Sequence, residues 1–146
     1  MAKKEEFLSE QEEQEVIDAI RTAEKNTSGE IRVHIEATSK IDPYKRALEL
    51  FNFLKMNNTK EENAVLIYVA VNDKKFVIYG DKGIDAVVPG DFWNTTKDLM
   101  QSHFKEGHYK QGIIEGVLKA GHELKVHFPF QIDTDENELS NEISKG

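Results

Sequence analysis

The sequence predicts an α/β protein: a three-layer α/β/α sandwich with a mixed sheet, helices on both faces and the element order α-β-α-β-β-α-α. Three observations carry that prediction. Ala64 to Val71 is an unbroken apolar run, the pattern of a strand buried on both faces. Ile31, Val33 and Ile35 alternate with Arg32, His34 and Glu36, the period of a second strand. Amphipathic stretches of helical period lie before, between and after these strands.

Taken in order, residues 1–8 read as a flexible lead. Ser9 and Glu12 form a capping box, and Val16, Ile17, Ile20 and Ala23 make the apolar stripe of the helix they open. Asn26-Thr27-Ser28-Gly29 ends it and leads into the strand at Ile31–Ile35. Asp42-Pro43 suits the N-cap and first turn of a second helix, whose inner stripe is Ala47, Leu50, Phe51 and Leu54. After the central strand, Asn72 to Lys75 is a hairpin turn and Phe76–Tyr79 returns antiparallel. Gly80 to Gly90 reads as a loop. Asp91 is expected to cap a helix containing Phe92, Trp93, Leu99, Met100 and Phe104. A last helix runs from about Tyr109 to His127 and stops at Pro129. The domain is thus expected over 9–130, with an acidic, disordered tail over 131–146. The first two strands are joined through a helix, so they should be parallel with a right-handed crossover.

Composition narrows the function. The chain has 146 residues, enough for one domain with a sizeable core. Its net charge of -8 argues against nucleic acid as a partner, because phosphate binding needs clustered Lys and Arg. With 32% charged residues and no apolar window of membrane-spanning length, the protein is expected to be soluble and cytoplasmic, without direct membrane insertion. Cysteine is absent, which excludes disulfides and thiolate chemistry. Neither a G-x-S-x-G nor a Walker A sequence is present. The 5 histidines fall at spacings that suit no shared zinc ion, and they read as surface residues.

The carboxylates are more informative. Asp73 sits in the tight turn between two buried strands. Asp81 and Asp85 bracket Lys82-Gly83-Ile84, and Asp91 follows. Acidic side chains and backbone carbonyls in glycine-containing loops suit Ca²⁺ or Mg²⁺, which take hard oxygen ligands. The structural alternative is that Asp73 and Asp81 form turns and Asp91 caps a helix. Glu36 and Asp42 make a second cluster. With parallel strands they share the carboxyl edge of the sheet with Asp73, the default ligand position of α/β folds, whereas Asp81 and Asp85 fall at the opposite edge. The choice between edges stays open.

The segment Phe104 to Gly116 reads F-x-x-G-x-Y-x-x-G-I-x-x-G. Gly107 lets the chain turn, Gly112 and Gly116 let another element pack close, and Phe104 and Tyr109 anchor the core. This segment, with Leu8-Ser9, Thr27-Ser28-Gly29-Glu30-Ile31, Asn72-Asp73-Lys74 and Gly83-Ile84-Asp85 in the same order, resembles the TPM domain family over about Leu8 to Pro129. The resemblance implies an α/β/α sandwich, divalent cation binding and, from some plant members, a phosphatase activity. It also implies a LemA-type membrane protein as partner. The family's Asp-Asp-Arg turn stands here as Asn72-Asp73-Lys74, which removes one acid and one bidentate donor. The expected function is therefore that of a small soluble accessory or assembly factor binding Ca²⁺ or Mg²⁺ through Asp73, Asp81, Asp85, Asp91 and Asp42. The alternatives are a metal-dependent phosphatase and a metal-free protein-interaction module.

Overall fold

A computed structural model describes residues 8–59, 61–129 and 143–145. The helices are α1 (Glu10–Glu24), α2 (Pro43–Phe53), α3 (Lys82–Asp85), α4 (Asn94–Lys105) and α5 (Tyr109–His127). The strands are β1 (Glu30–Glu36), β2 (Ala64–Ala70), β3 (Lys75–Gly80) and β4 (Ser144–Lys145). They form one mixed sheet in the order β3-β2-β1-β4. β1 runs parallel to β2, from Glu30 opposite Ala64 to Glu36 opposite Ala70. β3 returns antiparallel, with Lys75 opposite Ala70 and Gly80 opposite Val65.

Strand parity sorts the side chains into two cores. Ile31, Val33 and Ile35 of β1 and Val65, Ile67 and Val69 of β2 join α1, α4 and α5 in the larger core. Ala64, Leu66, Tyr68 and Ala70 meet Ala47, Leu50, Phe51 and Met56 on the α2 side. Both faces of β2 are therefore covered, which is why its sequence is apolar without alternation.

Local signals set the helix ends. Glu12 N donates to Ser9 Oγ at 3.1 Å and Ser9 N donates back to Glu12 Oε1 at 2.9 Å, closing the capping box. Asp42 caps α2, accepting from Tyr44 N at 3.1 Å and Lys45 N at 3.2 Å, with Pro43 in the first turn. α4 and α5 form a hairpin that turns at Gly107, whose φ of 78° lies in the left-handed region. The other glycines of that motif set the spacing of the pair. A Cβ on Gly116 would lie 2.5 Å from Met100 Sδ, and one on Gly112 would lie 2.5 Å from Phe104 Cε1.

The structure departs from the sequence reading in five places. The Gly80–Gly90 stretch contains the short helix α3, capped by Asp81. Asp91 is not a helix cap: its carbonyl closes a turn with Asn94 N at 3.0 Å, and α4 starts after Trp93, which is drawn into the core. On the polar side of β1, Glu30, His34 and Glu36 are buried. His34 is therefore not a surface histidine. Leu8, at the end of the expected lead, is buried in the larger core, while residues 1–7 lie outside the described residues. Residue 130 and, within the expected tail, residues 131–142 and 146 lie outside the described residues, and Ser144–Lys145 adds a strand parallel to β1 at His34 and Ile35.

Candidate functional site

The parallel strands end at Glu36 and Ala70, and the chain leaves them through residues 37–42 and 71–74. Two backbone bonds extend the pairing beyond the strands: Val71 N donates to Glu36 O at 3.0 Å and Asn72 N to Ala37 O at 2.7 Å. Asp73 then ties the two loops together. Its Oδ1 accepts from Thr38 Oγ1 at 2.7 Å and its Oδ2 from Ser39 N at 2.7 Å. The Ser39 amide, then the Thr38 hydroxyl, hold this half-buried carboxyl below the usual range. Beside it opens a crevice of about 440 Å³ lined by Glu36, Ala37, Thr38, Lys40, Ile41, Arg46 and Glu49.

The floor of that crevice is a polar network around Glu36, which is 7% exposed. Arg46 grips it bidentately, Nε to Oε2 at 3.0 Å and Nη2 to Oε1 at 2.9 Å. The Tyr68 hydroxyl donates to Oε2, and His34 Nε2 lies 3.1 Å from Oε1. Arg46 Nη1 reaches on to Glu49 at 2.5 Å. Burial alone would raise the Glu36 pKa; the donors from Arg46, Tyr68 and His34 outweigh it and hold the carboxyl at about 2. Burial pushes the Tyr68 hydroxyl up, with its bond to Glu36 adding to the shift, and lowers His34. Glu36 is thus an ionised carboxylate whose charge is already compensated.

The other acids stand elsewhere. Asp81 follows Gly80, and its amide donates to Ala64 O at 2.9 Å, at the start of β2. Along the seven residues of β2 this places it about 20 Å from the Asp73 edge. Asp85 lies in α3, on the same side as Asp81. Asp81 is buried, one carboxylate oxygen has no hydrogen-bond partner, and burial raises its pKa. Asp73 and Asp42 therefore flank one edge, Asp81 and Asp85 the other, and Asp91 sits in the turn before α4. Among the described residues no group of three His, Asp or Glu side chains is placed to hold a metal ion.

Glu24, at the end of α1, is a further perturbed acid. Its Oε2 accepts from Ile31 N at 2.9 Å, and burial raises its pKa to about 8. A raised acid favours the folded state below its unfolded pKa of about 4.5, and that contribution is lost as pH climbs towards 8. Glu24→Gln keeps an acceptor for Ile31 and removes the buried charge. The variant is expected to be more stable than the parent by about 2 kcal/mol in urea unfolding at about pH 8.5, a partial share of the full linkage because the side chain is partly exposed. The gain should vanish near pH 4; an equal effect at both pH values would refute the assignment.

Sequence reading placed Asp73 and Asp42 at this edge but missed Arg46, Tyr68 and His34. Arg46 lies ten residues beyond Glu36 on a helix, and Tyr68 sits inside an apolar run. The available signal was parity: His34, Glu36 and Tyr68 share one face of adjacent parallel strands, with His34 opposite Tyr68.

A family model described as "TPM domain" matches residues 1–123. The BA42 protein of the psychrophilic bacterium Bizionia argentinensis, solved by NMR, is 60% identical over 100% of both chains, with a TM-score of 0.93. The N-terminal domain of a P. gingivalis protein is 22% identical, covering 84% of this chain and 79% of that one, with a TM-score of 0.69. The N-terminal domain of a Corynebacterium glutamicum protein is 10% identical, covering 79% and 72%, with a TM-score of 0.64. These last two share the fold. No curated protein matches the chain. Among the described residues no helix is long and apolar enough to cross a membrane.

Proposed function

The chain belongs to the TPM domain family, and from that premise we propose that it is an accessory domain that binds Ca²⁺ or Mg²⁺ at the carboxyl edge of its parallel strands, around Asp73. One observation carries this reading: Asp73 is an ionised carboxylate oriented by two donors at 2.7 Å from the facing loop. Each donor occupies one lone pair of one oxygen, which leaves acceptor capacity on both for a hard cation. The loop carbonyls of residues 37–42 and water supply the remaining oxygens, in keeping with the six to eight ligands of Ca²⁺ or the largely hydrated Mg²⁺. Few protein carboxylates mean weak binding, with Kd on the order of 10⁻⁴–10⁻³ M. Glu36 is spent on Arg46 and does not ligate. Asp42 caps α2 and lines a separate groove with Lys74 and Lys75, so it does not share this crevice. Asp81 and Asp85, at the far edge, do not share this site.

The test is a residue-resolved amide titration with CaCl₂ and with MgCl₂. Shifts are expected at residues 37–42 and 71–75, and Asp73→Asn should weaken binding at least tenfold. Shifts confined to residues 81–85, or none at about ten times the expected Kd, would overturn the proposal.

A further inference from the structure

The end of the described chain makes a contact that the cation reading does not use. Ser144 and Lys145 lie parallel to β1, opposite His34 and Ile35. Ile143 packs against the larger core. Ser144 Oγ lies 2.9 Å from His34 Nδ1. His34 is 2% exposed, stacked on Tyr68 with ring centroids 5.9 Å apart, and its other nitrogen faces Glu36. Those contacts fix the direction of the bond. Glu36 is ionised and can only accept from His34, and burial favours the neutral ring, so Nε2 carries the one ring proton and Nδ1 is a bare acceptor. The hydroxyl of residue 144 must therefore donate. A buried imidazole nitrogen left without a donor is costly, so the edge of β1 selects a hydroxyl at that position.

We propose that the β1 edge at His34–Ile35 is an acceptor site for an extended peptide strand running parallel to β1, with an apolar residue followed by Ser or Thr. In the isolated chain its own residues 143–145 occupy the site. The recognition is strand addition: main-chain bonds supply affinity, and the core contact and His34 supply specificity. The cis occupant is a two-residue parallel strand, a minimal ladder supported by the Ser144 bond to His34 and the packing of Ile143. A partner segment that extends the ladder further can displace it. The site lies on β1 rather than in the loops around Asp73, so it stands or falls independently of cation binding.

The experiment uses the full-length ¹⁵N-labelled chain and a synthetic peptide of residues 140–146. A tethered occupant competes at an effective concentration in the millimolar range, so the parent chain should bind the peptide weakly. Ser144→Pro removes the hydroxyl and a ladder N–H and empties the site; it should bind the same peptide at least tenfold more tightly. Shifts should centre on Val33–Ala37 and the His34 ring, whose ¹⁵N pattern should report the Nε2–H tautomer in the parent. A peptide with Val in place of Ser144 should bind at least tenfold more weakly than the serine peptide. Either an unchanged His34 ring spectrum in Ser144→Pro or equal binding of both peptides overturns the proposal.

Discussion

Replacing Gly83 with alanine is expected to destabilise the protein by about 3 kcal/mol, a large share of the ~5–15 kcal/mol that holds a typical domain together. The reason is backbone rather than side chain. A Cβ on Gly83 would sit 2.2 Å from Glu61 O, 2.5 Å from Glu62 O and 2.9 Å from Glu62 C. No rotamer change relieves a clash with main-chain atoms. The segment cannot simply retreat, because Gly83 N donates to Glu62 O at 2.9 Å and the neighbouring Asn63 is tied to Ser28 and Thr59. Gly90→Ala is the control, since nothing lies within 4 Å of its Cβ position. That variant should unfold within about 0.5 kcal/mol of the parent. Urea melts of the pair decide the matter: coincident curves would mean that the α3 corner yields freely.

Gly83 also shows what kind of information the sequence carries. Its place in a Gly-Ile-Asp segment marked it for family resemblance, but its physical role depends on the loop at Glu61 and Glu62. Signals confined to one segment read out directly. Ser9 with Glu12, Asp42 with Tyr44 and Lys45, and Val71 with Lys74 in the hairpin turn each lie within one short segment. The apolar run of β2 was legible because burial on both faces leaves no polar residue to confuse it. By contrast, α3 is four residues long, too short for a periodic signal, and β4 is defined only by what it pairs with.

The site divides along the same line. Topology alone put Asp73 and Asp42 at the carboxyl edge and Asp81 with Asp85 opposite, once the first two strands were taken as parallel. The state of Glu36 was not legible. From sequence it is one more acid near the edge, equivalent to Asp73. In the fold, a bidentate arginine, a buried tyrosine and a buried histidine converge on it from α2, β2 and β1. A carboxylate so engaged and one bound by two loop donors have opposite availability for a cation, and only the tertiary contacts separate them.

Arg46→Met should expose that difference in both stability and binding. The substitution keeps much of the aliphatic packing and removes both charged donors from a carboxylate that is 7% exposed. Breaking a buried pair on one side costs about 3–5 kcal/mol; with Tyr68 and His34 still donating and Arg46 partly solvated, about 3 kcal/mol is expected at neutral pH. The pH dependence gives the sign. Glu36 titrates at about 2 in the folded protein, against about 4.5 when unfolded. Its contribution is present above about 4.5 and is lost as pH falls towards 2. Without Arg46 the folded pKa rises towards the unfolded value, so the gap between variant and parent should close over that acidic window. Urea melts at neutral pH and near pH 3 measure this, and a gap that stays constant would mean the loss is packing alone. The same variant leaves an uncompensated carboxylate in the floor of the crevice beside Asp73. Ca²⁺ binding should then tighten several-fold while the fold weakens, because the added charge favours the cation and the cation relieves the buried charge. A loss of Ca²⁺ binding in a folded Arg46→Met protein would instead show that Arg46 positions the loop that holds the ion.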